Sequence, residues 1–174
     1  MTAAALLRQA RVDDAAAVAE AHIASWRHTY AGLVPQSLLD GLSVPEVTQR
    51  WSTRLEQADP TVRRILVAEV DGAVKGFASV GHSRDEDAPA TAGELSAIYL
   101  HPEVMGRGIG HRLHERALDE LRELGRTEAR LWVLATNIAT RRFYEQHDWT
   151  HDDVRLVVVK DGFRLDATRY RRRL

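Results

Sequence analysis

A mixed β-sheet covered by helices, an α/β fold of the α+β type, is the class this sequence predicts, and three observations predict it. Apolar or small residues recur at helical spacing as far as Leu55. From Val62 the period shortens to that of strands, with two runs joined by Asp71-Gly72. A strand, three glycines, a helical stripe and another strand then follow in close order, and a final strand pair ends the chain. Strands that pair with their neighbours and helices left to cover their faces give a mixed sheet.

Taken in order, Leu6 to Ala10 suit a short strand, and Asp13 suits the cap of a helix with Ala15, Val18, Ala19, His22 and Trp26 on one stripe. A loop through Tyr30, Gly32 and Pro35 leads to a short helix at 36–40. A second helix starts at Ser43, with Pro45 in its first turn and Glu46 completing a capping box, and carries Val47, Trp51 and Leu55 along one side. VRRILVAEV and AVKGFASV form an antiparallel pair, because Asp-Gly is the dipeptide of a type I′ hairpin turn. GHSRDEDAPATA reads as solvated loop, its DED run at 85–87 included, and ELSAIYLHP as a buried strand. Leu113, Ala117, Leu118, Leu121 and Leu124 make a helical stripe that stops at Gly125. ARLWVLA is a strand, Asn137 caps a short helix holding Phe143 and Tyr144, and two strands about Asp161-Gly162 end in RYRRR, read as a strand with a solvated tail.

At 174 residues, 44% apolar and 28% charged, with a formal charge of -1, the chain has the composition of one folded domain and not that of a nucleic-acid binder. It has no cysteine, which excludes disulfides, thiolate metal sites and a cysteine nucleophile within this sequence. The N-terminal segment lacks the basic start and apolar run of a signal peptide, and no stretch approaches the length of a membrane span. A cytoplasmic protein that contacts no membrane is the expectation. His111 with His114, and His147 with His151, have metal-like spacing but no third ligand, so no metal is expected.

The chemistry concentrates in HPEVMGRGIGHRLHERAL at 101–118. Glycines 106, 108 and 110 between a strand and a helix let the backbone turn tightly and bring bare N–H groups to an anion, which the helix dipole also favours. The dinucleotide pattern G-x-G-x-x-G fails at His111, and no G-K-[ST] exists for a P-loop. On the glycines alone, a turn without a ligand is an equal reading.

ELSAIYLHPEVMGRGIGHRLHERAL, together with LWVLATNIATRRFYEQHDW, closely resembles the acetyl-CoA-binding half of GNAT-type N-acetyltransferases, whose signature is [QR]-x-x-G-x-[GA]. Met105 holds the first signature position, Gly108 and Gly110 match the rest, and Gly106, Arg107 and Ile109 stand between. SWRHTYAGLVPQSLLDGLS resembles the two-helix region of one GNAT subgroup. The resemblance implies one domain over 1–174: a twisted, mostly antiparallel sheet with a splayed central strand pair and about four helices. Acceptor-side helices would occupy 1–60 and the acetyl-CoA-binding core 91–149. It further implies pyrophosphate on the glycine loop and pantetheine between the strand ending near Tyr99 and the strand from Ala129 to Ala135.

The same resemblance suggests roles. An alkyl amine with a pKa of about 10.4 is protonated at pH 7 and must lose a proton before it attacks, and Glu94 stands where many family members offer a base, directly or through water. A free N–H within Ile98, Tyr99 and Leu100 would hold the oxyanion. Tyr144, in RRFYEQHDW, matches the tyrosine that protonates the leaving thiolate, and its neighbour Phe143 is placed in the core. Asp148 stands at the usual glycine of that motif. Asn137 would face CoA or serve as a plain helix cap, and Arg112 would meet a phosphate oxygen or solvent. Trp26, His28 and Tyr30 lie where the subgroup builds its acceptor wall, although Trp26 also fits the apolar stripe of its helix. The implied activity is direct acetyl transfer from acetyl-CoA to a primary amine, of a small molecule in preference to a peptide, by a chain that is a homodimer in many relatives. A GNAT-like module that binds acyl-CoA without turnover is the alternative.

Overall fold

The computed structural model describes residues 5–160 and 162–174. Seven strands, β1 (Leu6–Gln9), β2 (Arg63–Val70), β3 (Ala73–His82), β4 (Ala92–Leu100), β5 (Glu128–Leu134), β6 (Thr150–Lys160) and β7 (Phe163–Arg173), form one sheet in the order β1-β2-β3-β4-β5-β7-β6. All neighbours are antiparallel except β4 and β5. Five α-helices accompany them among the described residues, against about four expected: α1 (Ala15–Thr29), α2 (Gln36–Asp40), α3 (Val44–Glu56), α4 (Ile109–Glu123) and α5 (Ile138–Glu145).

Alternation along β2 explains how one strand serves two cores: Leu66 and Ala68 face α4, while Ile65 and Val67 face the layer of α1, α2 and α3. A strand covered on both sides reads as a continuous apolar run, as RILVAEV does. Leu113, Leu118 and Leu121 of α4 fill one core with Val80, Leu95 and Leu131, and Val18, Ile23, Leu39 and Trp51 fill the other with Phe77. Glu120 is fully buried and held by Arg64 at 2.5 Å and Arg116 at 2.5 Å, so its charge is compensated in place.

Local signals mostly act as their chemistry dictates. Asp71 and Gly72 have φ of 52° and 80°, the two positive values that a type I′ turn requires. Ser43 Oγ accepts the Glu46 N–H at 3.5 Å; the return bond of a full capping box is not formed. Asp13 does not cap α1. A 3₁₀ turn (Val12–Asp14) precedes that helix, and Asp14 takes both the Arg11 N–H at 2.7 Å and the Arg8 guanidinium at 2.7 and 2.9 Å. The β1 cation decides between two adjacent aspartates. Asp161 lies outside the described residues; its neighbour Gly162 has φ of 81°.

Two stretches are held more firmly than expected, the acidic loop and the strand that ends in RYRRR. Asp85 accepts the Trp132 Nε1–H at 2.8 Å and Asp87 the Arg130 guanidinium at 2.7 Å, and Arg169 reaches both carboxylates. The acidic loop is thereby fastened across β5 and β7, while Glu86 is exposed. In RYRRR, Arg169 and Tyr170 are buried and β7 continues to Arg173. Partners forty or more residues away in sequence hold Asp85 and Asp87, although Asp87 itself stays exposed.

His22 and His114 are both neutral acceptors in the interior. His22 Nδ1 accepts the Trp51 Nε1–H at 3.1 Å and His114 Nε2 accepts that of Trp149 at 2.9 Å. Burial, before any neighbouring charge, pushes the pKa of each down to about 4 from 6.5. The unfolded chain therefore takes up protons that the folded one refuses between these values, and stability falls as pH is lowered through that window. The thermal midpoint should drop steeply from pH 6.5 to pH 4, and His22→Asn should flatten the drop in calorimetric scans; an unchanged pH profile in that variant would remove His22 from the account.

Candidate functional site

β4 pairs with β5 over only three residues, Ala92 to Glu94 against Glu128 to Arg130. Beyond Glu94 the two strands part, although β4 stays paired with β3 as far as Leu100 and β5 with β7 as far as Leu134. One register irregularity falls at this point: Ser79 opposes Ala97 while Val80 opposes Leu95, so Ser96 has no partner in the ladder. His101 donates its N–H to Lys75 O at 2.7 Å. Two-residue alternation then turns the N–H of Tyr99 toward β3 and those of Ile98 and Leu100 toward the side that β5 has left.

A cavity of about 510 Å³ opens there. β4 lines it from Leu95 to Leu100, β5 contributes Trp132 and Val133, α5 contributes Thr140, Phe143 and Tyr144, and α1 with the turn after it contributes Ser25, His28 and Tyr30. Met105 and Gly110 close the end toward the glycines.

Gly106 and Gly108 have φ of 73° and 74°, values that L side chains rarely adopt, and a methyl group on either would meet nothing within 4 Å. The requirement is conformational, not one of space. Gly108, left-handed, is the residue before α4, so the first N–H groups of that helix face outward with the positive end of its dipole. Gly110 has no left-handed φ, and a methyl group there would only touch Leu100 Cδ1 at 3.4 Å, so neither conformation nor space demands glycine at this position. Ile109 between them is buried and anchors the helix start in the core. Arg107 is exposed beside the turn. Arg112 is committed elsewhere, its guanidinium donating to Ala5 O at 3.0 Å.

Tyr144 is buried, lines the cavity, and has no hydrogen-bond partner for its hydroxyl among the described residues. Burial, with a smaller effect of Tyr99, pushes its phenol further above the ordinary range. Phe143, expected in the core, is half-buried and lines the cavity beside it. The turn after α5 tolerates Asp148 in place of glycine because aspartate enters the left-handed region at modest cost: its φ is 60°, and Trp149 N–H closes back on Tyr144 O at 3.1 Å. Asn137 caps α5 and also borders the cavity. Its Oδ1 caps α5 by accepting the Thr140 N–H at 3.2 Å, while its Nδ2 is buried at the cavity wall without a partner.

Glu94 is nearly buried and lies at the last paired position of β4, outside the cavity lining. Its carboxylate accepts the Arg84 guanidinium at 2.8 and 3.1 Å. His28 and Tyr30 line the cavity, whereas Trp26 packs edge-on against Tyr30 at 4.8 Å and is covered by Lys160. The histidines join differently from their sequence pairing: His147 Nδ1 donates to Phe143 O, so its Nε2 accepts from His111 Nδ1 at 2.7 Å. No group of three potential metal ligands occurs among the described residues, and no helix there is long and apolar enough to cross a membrane. Trp132 and Ser96 were missed in the sequence; alternation along ARLWVLA offered a signal for the first, and nothing local marks the irregularity that exposes the second.

The model of the acetyltransferase (GNAT) family matches residues 19–149. An uncharacterized N-acetyltransferase of Bacillus subtilis, YuaI, is 33% identical over 75% of this chain and 72% of its own length. The L-methionine sulfoximine/L-methionine sulfone acetyltransferase of Salmonella typhimurium is 34% identical over 60% of this chain and 61% of its own. The solved structure of yncA from Salmonella typhimurium with acetyl-CoA superposes with a TM-score of 0.72 at 26% identity, covering 98% of this chain and 94% of that one.

Substitution separates the cap made by Asn137 Oδ1 from any role of its Nδ2 in binding. Asn137→Asp keeps the capping oxygen and should leave the thermal midpoint nearly unchanged, whereas Asn137→Ala should cost about 1 kcal/mol of stability. Both should weaken acetyl-CoA binding in calorimetric titration, by roughly tenfold for one lost hydrogen bond in a dry site; full affinity in the aspartate variant would assign Asn137 to the cap alone.

Proposed function

Because the chain belongs to the acetyltransferase (GNAT) family and is an N-acetyltransferase that uses acetyl-CoA, we propose that it moves the acetyl group directly to the primary amine of a small molecule, within the cavity between β4 and β5. The observation that carries this reading is the unpaired run of β4. Backbone donors at Ile98 and Leu100, a buried phenol at Tyr144 and an unpartnered amide at Asn137 all border one cavity that ends at a left-handed glycine turn.

In this reading the N–H groups at the start of α4, freed by Gly106 and Gly108, receive the pyrophosphate, and Met105 and Gly110 leave room for the chain that follows it into the cavity. Arg107 is free to approach a phosphate from outside, and Arg112 supports the turn through Ala5 without touching ligand. Asn137 Nδ2 donates to an amide carbonyl of the pantetheine arm. The N–H of Ile98 or Leu100 holds the thioester oxygen and stabilises the negative charge that develops on it; fixed main-chain donors of this kind contribute several kcal/mol in a water-poor site.

Tyr144 donates its proton to the departing sulfur. The same burial that raises the phenol also raises the proton affinity of a thiolate beside it, so the two stay matched where water would favour the free thiolate. Glu94 accepts the amine proton through a bridging water, since Arg84 engages both its carboxylate oxygens and the cavity begins one residue further along the strand. With no cysteine in the sequence to carry an acyl group, one-step transfer is the economical route. His28 and Tyr30 flank the approach of the amine, and residues 1–60 supply that side of the site while 91–149 supply the acetyl-CoA side.

Tyr144→Phe should lower kcat by ten- to a hundredfold and leave the KM for acetyl-CoA nearly unchanged in a thiol-release assay. An unaltered kcat would remove it as the acid. Glu94→Gln should depress kcat/KM most at low pH, where the amine is almost wholly protonated, and a parallel loss at every pH would assign Glu94 to the Arg84 pair alone.

A further inference from the structure

A second cavity, of about 490 Å³, lies on the sheet face covered by α1, α2 and α3, and it shares Ser96 and Ala97 of β4 with the first. It thus meets the reaction cleft at the ladder irregularity where β4 leaves β5. Its polar lining is dominated by three guanidinium groups, Arg54 from the end of α3, Arg63 from the start of β2 and Arg84 from the loop after β3.

These cations differ in how they are compensated. Arg84 is bound by Glu94. Arg54 and Arg63 form no ion pair among the described residues: Arg54 lies over the Trp51 ring at 5.0 Å, and Arg63 Nη1 reaches only the hydroxyls of Ser79 at 3.4 Å and Ser96 at 3.3 Å. The one acid in the lining, Asp59, is exposed, bonds through Oδ1 to the Thr61 N–H and hydroxyl, and leaves the three cations in excess. Other arginines without a carboxylate partner spend their guanidinium groups on main-chain carbonyls, as Arg112 does on Ala5 and Arg126 on Ala90, whereas half-buried Arg63 meets only two hydroxyls and exposed Arg54 only a ring. The excess of positive charge is also felt by the cavity's own residues: desolvation first, and then the charges of Arg50, Arg63 and Arg84, lower the pKa of Arg54.

We infer that the acceptor is an amine that also carries a carboxylate, received by Arg54 and Arg63 while its amino group reaches the cleft past Ser96. The inference rests on the acetyltransferase reading above and narrows its substrate. A planar guanidinium binds a carboxylate through two parallel N–H bonds, so an anion here gains orientation as well as charge neutralisation. Polyamines and aminoglycosides would meet the same cavity as like charges and are disfavoured by it.

The test begins with calorimetric titration of acetyl-CoA, whose failure in folded protein would overturn the acetyltransferase reading separately from this one. The twenty L-amino acids are then compared with their primary amides, and with spermidine and tobramycin, in two assays: thiol release with acetyl-CoA, and direct binding followed by titration of the protein alone. One or more free acids should exceed their amides at least tenfold in kcat/KM, or in affinity where turnover is absent. Arg63→Gln and Arg54→Gln should each raise the KM for that acid at least tenfold and leave the KM for acetyl-CoA unchanged, with Arg63→Lys recovering part of the loss. Amides or polyamines that match the acids, acids that neither bind nor turn over, or glutamine variants with unchanged acceptor KM would each overturn the proposal.

Discussion

The parting of β4 from β5 is the constraint on which the rest depends. A strand in the middle of a sheet ordinarily has both edges satisfied, yet β4 loses its partner after Glu94 and carries unpaired backbone groups into the interior. Buried N–H and C=O groups without partners are costly. The arrangement is tenable because each strand is held firmly on its outer edge, β4 by β3 and β5 by β7, and because the open edge faces a cavity that a ligand with carbonyl and amide groups can complete. A donor acetyl group and its amide-rich arm have the chemistry to act as the missing strand.

Several distant features serve this opening. The acidic loop between β3 and β4 ties Asp85 and Asp87 to Arg130, Trp132 and Arg169, which fastens the closed end of the strand pair. Ile109 anchors the start of α4 in the core and so fixes where its N–H groups point. Tyr144 and Asn137 come from the two ends of α5, a helix whose cap and closing turn both rest on residues at the cleft. A helix of eight residues is too short to be stable alone; packing holds it, and with it the phenol.

The two cavities differ in charge. The cleft holds the neutral donors suited to a thioester and an amide chain, while the neighbouring pocket concentrates arginine. Their common boundary at Ser96 and Ala97 includes the residue that the β3 ladder skips, so the same irregularity that interrupts regular pairing also joins the two compartments.

Much of this was legible in the chain. Element order, the Asp71-Gly72 turn, the glycine approach to α4 and the motif around Tyr144 are set by neighbours within a few residues, where conformational preference and period act directly. Tertiary structure alone decided which aspartate begins α1, since Arg8 selects Asp14 over Asp13 from another element. It decided that the DED loop is pinned through Asp85 and Asp87 and that Arg169 and Tyr170 are buried, because the partners of the loop are far along the chain. It also decided that Glu94 faces Arg84, that Arg112 turns to Ala5, and that Arg54 and Arg63 converge without a counter-charge. Local preference is written in sequence at short range, whereas the pairing of charges and the place where two strands part depend on which distant residues the fold brings together.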